Sequence, residues 1–152
     1  MTTTVTNSIG SAGGRDYSTI AAFLAAVPTN LVTADQAWVG ELYNDSTFTV
    51  AVSISGITQD ATRFLTLKCA SGQSFYDNAS KLTNALRPNQ SNGVLISVGT
   101  TAITLSGTHD YTVLDGLQVI SNAASPVIQS ATGAHVVVKN CILQTDYTSS
   151  SF

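Results

Sequence analysis

Ten residues, Tyr111-Thr-Val-Leu-Asp-Gly-Leu-Gln-Val-Ile120, return in altered form 24 residues later as His135-Val-Val-Val-Lys-Asn-Cys-Ile-Leu-Gln144. Under that shift Val113 falls on Val137, Leu114 on Val138, Leu117 on Cys141 and Val119 on Leu143, while the polar pair Asp115-Gly116 falls on Lys139-Asn140. A repeat of this length, made of short β-branched runs, belongs to a chain whose copies bury their inner faces only by stacking on one another. The punctuation agrees with the apolar match. A sharp corner between two short strands needs a residue that tolerates positive φ, and Gly116 and Asn140 occupy that slot in the two copies. The same shift relates Ile103-Thr-Leu-Ser106 to Val127-Ile-Gln-Ser130, and Leu95-Ile96 to Val119-Ile120, which gives about three strands to each turn of the chain.

From about Val94 to Gln144 this pattern resembles the right-handed parallel β-helix family, the pectate-lyase-like solenoids, in the run Val113-Leu-Asp-Gly-Leu117 above all. Two earlier stretches, Val52-Ser-Ile-Ser-Gly-Ile57 with Phe64-Leu-Thr-Leu67, and Asn84 to Val94, resemble phage structural β-helix proteins. The resemblance implies an all-β fold, a short right-handed parallel β-helix with three strands and about 24 residues per rung. It specifies a fold far better than a function.

Upstream, Met1 to Asn7 alternates Thr with Val, as an edge strand or an extended arm reaching a neighbour would, and Ser8 to Gly14 reads as a flexible linker. The expected organisation is an extended arm over 1–14, then a single domain over 15–152. Arg15 to Pro28 is the one convincing helix. Asp16 or Ser18 can cap it, Ile20, Phe23, Leu24 and Val27 form its apolar stripe, and Pro28 stops it. The resemblance implies that this helix covers the first rung. Short strands follow at Ala37–Leu42, Thr47–Val52 with Ile54, and Arg63–Cys69. Trp38 reads as core rather than as a ligand platform.

Between Gly72 and Asn92 the periodicity lapses, and an irregular loop over 72–92 is expected, folded back on the flank or docked on a partner. Phe75, Tyr76, Leu82 and Leu86 give it apolar handles, Lys81 and Arg87 charge. The tail from Thr145 to Phe152 loses the repeat, leaving the final rung to be covered by a partner or by the tail itself.

Composition narrows the function classes. Only 10% of residues are charged, against a usual figure of about 25%, so the surface is mainly Ser, Thr, Asn and Gln. The net charge of −3 and six scattered cations offer no basic stripe for a phosphate backbone, so no nucleic-acid partner is expected. The first residues show neither the basic nor the apolar region of a signal peptide, and no run reaches membrane-spanning length, so no membrane partner is expected either.

The acids are Asp16, Asp35, Glu41, Asp45, Asp60, Asp77, Asp110, Asp115 and Asp146. Only Asp110 and Asp115 lie close together within the repeat, and Asp115 has Lys139 as its expected cross-rung neighbour. Polysaccharide-cleaving β-helices need clustered carboxylates, which this pattern does not supply. His109 and His135 are nearly in register but too few for a metal site, and Cys69 and Cys141 fall at least two rungs apart, so both thiols are expected free and buried. The Asn-x-Ser triplets at Asn44, Asn78 and Asn89 carry little weight in so polar a chain.

No catalytic, cofactor-binding or metal-ligating residue is therefore assigned, and no enzyme activity or cofactor is expected. The resemblance points to a structural virion protein, a phage capsid decoration (cement) protein on the head surface, forming a homotrimer and contacting the major capsid protein or other virion proteins. The competing readings are a carbohydrate-binding or depolymerising tailspike-type fragment, with Trp38 or tyrosines along a flank, and an N-terminal piece of a longer adhesin-like solenoid.

Overall fold

The computed structural model describes residues 1–78, 87–107 and 111–146. The protein is mostly β, with eleven strands among the described residues, and every pairing between them is parallel. The first sheet holds β1 (Thr3–Ile9), β2 (Gln36–Leu42), β4 (Leu65–Cys69), β7 (Tyr111–Asp115) and β10 (His135–Lys139), side by side in that order. The second joins β5 (Leu95–Val98), β8 (Gln118–Ser121) and β11 (Ile142–Thr145), and the third β3 (Val52–Ser55), β6 (Ile103–Ser106) and β9 (Ile128–Ser130). Phe48 extends the second sheet by one bridge to Ile96. From β2 onward the chain visits first sheet, second, third and first again, so each circuit lies beside the one before it.

Strand periodicity explains what this order buries. Alternate residues face opposite sides of a sheet, and the inward ones align from circuit to circuit. The inner column of the first sheet runs Asn7, Gly40, Leu67, Leu114, Val138. That of the second runs Phe48, Ile96, Val119, Leu143, and that of the third Ile54, Leu105, Ser130. Members of these columns from Ile54 to Val119 are almost fully buried in one apolar cluster, whereas Val138 is 40% and Leu143 44% exposed.

The 24-residue shift holds for β7 with β10 and for β8 with β11, and Val113 pairs with Val137. It fails by one residue elsewhere. Leu95 pairs with Gln118, not Val119, and Ile103 with Ile128, not Val127. A one-residue slip would turn every side chain to the other face, so the inner apolar residues fix the register and the corners absorb the difference. The corner from Asn122 to Val127 is two residues longer than its counterpart from Gly99 to Ala102. The tight corners are as expected: Gly116 and Asn140 have φ of 76° and 53°.

Segment 1–14 is in part an edge strand: Thr3–Ile9 pairs with β2 along its whole length. The helix is shorter than expected. It is α1 (Ile20–Ala26), and its cap is neither Asp16 nor Ser18 but Thr19, whose Oγ1 accepts from the Ala22 N–H at 3.1 Å. Asp16 instead accepts from the Ser8 N–H at 2.7 Å and the Ser8 hydroxyl, clipping the chain ahead of the helix to β1. Phe23 then fills the space above Gly40, where a Cβ would come within 2.9 Å of the Phe23 ring and 2.8 Å of Ile9 Cδ1. A second short helix, α2 (Leu31–Ala34), ends on Asp35 at φ 51°. Thr47–Val52 is not a strand: only the Phe48 bridge and the first residue of β3 are paired.

The irregular loop departs from the stack where the last two circuits turn a two-residue corner. It contains α3 (Phe75–Asn78), in which Phe75 and Tyr76 stack at 4.4 Å, and one 3-10 turn at Gln90–Asn92. Lys81, Leu82 and Leu86 lie outside the described residues.

Candidate functional site

From β2 onward, an outward residue near the end of each first-sheet strand forms a second column, and it carries alternating charge. Glu41, Lys68, Asp115 and Lys139 are neighbours on β2, β4, β7 and β10. The Lys68 ammonium is 3.0 Å from Glu41 and that of Lys139 3.2 Å from Asp115, so the expected Asp115–Lys139 contact is present. Asn140 adds a bond from its Nδ2 to Asp115 Oδ1 at 2.9 Å.

Most other acids also hold structural partners. Asp45 receives two hydrogen bonds at 2.9 Å from Arg15, which stacks on Tyr43. The Arg15 bonds and the Ala12 N–H hold the Asp45 carboxyl below its ordinary range, against the opposing effect of burial. Asp60 is held well below the carboxylate range by Arg63, with the Thr62 N–H assisting, and bonds from Ser8 lower Asp16. Asp77 accepts from the Ser74 hydroxyl at 2.8 Å, and Asp35 receives the Thr2 hydroxyl at 3.1 Å. No group of three or more His, Cys, Asp or Glu side chains suited to a metal ion occurs among the described residues. Asp110 and His109 lie outside them. His135 stacks on Tyr111 at 4.5 Å with the rings 9° from parallel, as their strand register requires.

The two thiols are free. Cys69 stands two interstrand spacings from the β10 corner, about 9.6 Å, and its Sγ donates to Gly116 O at 3.0 Å. Burial, then the neighbouring Cys141, pushes the Cys69 thiol up to about 12; burial also raises Cys141. Both are half-buried rather than fully so. The asparagines of the Asn-x-Ser triplets hold turns: Asn44 donates to Gln90 O at 2.7 Å, Asn78 to Gly72 O at 2.9 Å, and Asn89 caps the 3-10 turn. Trp38 packs on Phe23 at 5.9 Å and donates to Gln36 at 2.8 Å, so its indole belongs to the interior edge.

A residue that the sequence reading missed anchors the irregular loop. Gln118 is fully buried at the start of β8; its amide donates to Asn89 O and Gly93 O at 3.0 Å and accepts from the Asn89 N–H at 2.9 Å. Its position after a glycine corner, inside an apolar strand, was the only available signal.

Among the described residues, three surfaces are open to a partner. The outward face of the third sheet carries Ser53, Thr104 and Gln129 in one column and Ser55 and Ser106 in the next, without a charge. A groove of about 500 Å³ runs between α1 and residues 46–57, with Leu24, Phe48, Val50 and Thr49 in its walls. The last circuit presents Val138 and Leu143 at the end of the stack, with Val137 exposed beside them on the outer face of β10.

No family model, curated protein or solved structure matches the chain. The class that the fold defines is a mostly β protein built of parallel sheets. No described helix is long and apolar enough to cross a membrane.

Proposed function

We propose that the three sheets are the faces of a short right-handed parallel β-helix, and that this solenoid is a structural part of a virion, a phage head-decorating protein. Its partners in this reading are sister copies in a homotrimer and the major capsid protein.

The observation that carries the proposal is the uncharged outer face of the third sheet, Ser53, Thr104 and Gln129 in register. Surfaces buried between subunits are depleted in charge at their centre, and such a face suits repeated packing about a three-fold axis. The ion pairs support it. Glu41, Asp45, Asp60 and Asp115 are each bound to a cation that holds neighbouring strands or turns together, which is a stabilising use of carboxylates rather than a hydrolytic one.

The test is to mix purified protein with undecorated phage heads and follow sedimentation, alongside the native mass. Saturable binding at a fixed copy number per capsid subunit, by a trimer, is the expected result. Turnover of a bacterial surface polysaccharide by the purified chain would defeat this reading in favour of the depolymerising alternative. That alternative would place a saccharide in the groove beside α1, where Thr49 supplies a hydroxyl.

A further inference from the structure

The last circuit combines three features at one end of the molecule. First, β10, β11 and β9 are the outer strands of their sheets at this end, each with a partner on one side only among the described residues. Lys139 O accepts from the Gly116 N–H at 3.2 Å. Successive residues of a parallel strand bond to opposite sides, so this leaves the backbone groups of Val136 and Val138 on the open edge. Second, the inward side chains at that edge are apolar: Val138 and Leu143 continue columns whose earlier members are buried. Third, the charge column ends on a cation. Glu41, Lys68, Asp115 and Lys139 alternate in sign, and the next place in the sequence of charges belongs to an acid.

We infer that the β10 edge is a docking site for a strand-forming segment of another polypeptide, added in parallel, with apolar residues over Val136 and Val138 and an aspartate or glutamate over Lys139. The edge supplies main-chain hydrogen bonds, the inward valines supply side-chain contacts, and Lys139 supplies the register. A second copy of this chain stacked head to tail fits less well, because the outer edge of its first strand is already bridged by its own chain: the Tyr17 N–H donates to Ser8 O and the Gly10 N–H to Tyr17 O, both at 3.0 Å. The inference rests on the stacked-circuit reading above but not on the virion assignment.

The β7 sequence has the required pattern, with Asp115 directly after Leu114, so it provides the probe. A synthetic peptide of residues Tyr111 to Val119 and its Asp115→Lys version are titrated into the full chain, and into the chain carrying Lys139→Glu. Binding is read by fluorescence anisotropy and by hydrogen exchange at the Val136 and Val138 amides. The aspartate peptide should bind the native chain about fivefold more tightly than the lysine peptide, slowing exchange at both amides, and Lys139→Glu should reverse the preference.

Equal binding of both peptides to both proteins would overturn the inference. So would amides already protected in the peptide-free chain, at a level that either rises or stays constant with protein concentration, since the edge would then be covered by a second copy or from within. A chain that takes the aspartate peptide in this register yet fails to sediment with heads would keep the docking site and remove the virion reading.

Discussion

The two ends of the first-sheet column treat the same problem differently. Near the start, one strand in from Asn7 of β1, position 40 is glycine, and the room it leaves is filled from outside the sheet by Phe23 of α1, fully buried against Ile9 and Leu67. At the finish, Val138 occupies the same inward place and remains 40% exposed. Between them Leu67 and Leu114 each find a neighbour above and below. A stack of identical circuits has no intrinsic way to finish, and its ends must be closed by something that is not another circuit. Here the N-terminal segment provides that closure at one end by means of a helix, a glycine and an aromatic ring.

The largest test of this asymmetry compares truncations at the two ends. Phe23→Ala should cost about 3–5 kcal/mol, since it removes a buried ring and leaves a cavity above Gly40, whereas Val138→Ala should cost less than about 1 kcal/mol. Urea denaturation of both variants measures the difference. Similar losses would mean that Val138 is buried in solution. The groups around α1 can be probed by acid as well. The Asp45 carboxyl is lowered in the folded chain by Arg15, so its contribution is fully present above the unfolded carboxylate value, about 3.9, and is lost as pH falls through the folded value. Asp45→Asn should therefore flatten the decline in stability below about pH 4 and lower stability at pH 7.

The corners offer a comparison of intermediate size. Gly116 and Asn140 occupy equivalent left-handed positions one circuit apart. A methyl group at Gly116 would meet Cys69 Cβ and Ser74 Cβ at ordinary distances of 3.4 and 3.5 Å, so Gly116→Ala acts through backbone strain, about 1–2 kcal/mol. Asn140→Gly relieves the same conformation but removes the bond to Asp115, and should change stability by less than about 0.5 kcal/mol in either direction. Thermal melts of the two variants suffice to rank them.

The contrast between circuits also explains how much was legible in the sequence. The last two follow each other with short corners, so the 24-residue shift exposed the β7–β10 register, the left-handed residues Gly116 and Asn140, and the Asp115–Lys139 pair. Earlier neighbours are separated by unequal lengths. Glu41 meets Lys68 after 27 residues and Lys68 meets Asp115 after 47, because the irregular loop intervenes, and no constant shift reveals that column. Registers involving β5 and β6 were misjudged by one residue for the same reason: corner length is not encoded in apolar alternation. The Thr19 cap was hidden by two other acceptable capping residues nearby, and what decided it was the Ser8 contact that occupies Asp16. Gln118 was invisible because its partners are backbone groups of a segment without periodicity.

The smallest effect concerns the charge column and separates its middle from its end. Lys68 is 3.0 Å from Glu41 and has Asp115 as its register neighbour on the other side, whereas Lys139 has an acid on one side only. All four groups are partly exposed, and exposed pairs contribute between about 0 and 1 kcal/mol. Both Lys68→Ala and Lys139→Ala should thus be mild, the former the more destabilising by a few tenths of a kcal/mol. Salt distinguishes charge from packing. At 1 M ionic strength the screening length falls to about 3 Å, and the gap between the two variants should close if it arises from the second acid. A gap that persists in high salt would assign it to packing of the Lys68 methylene stem, and would take from the column its role as a register device.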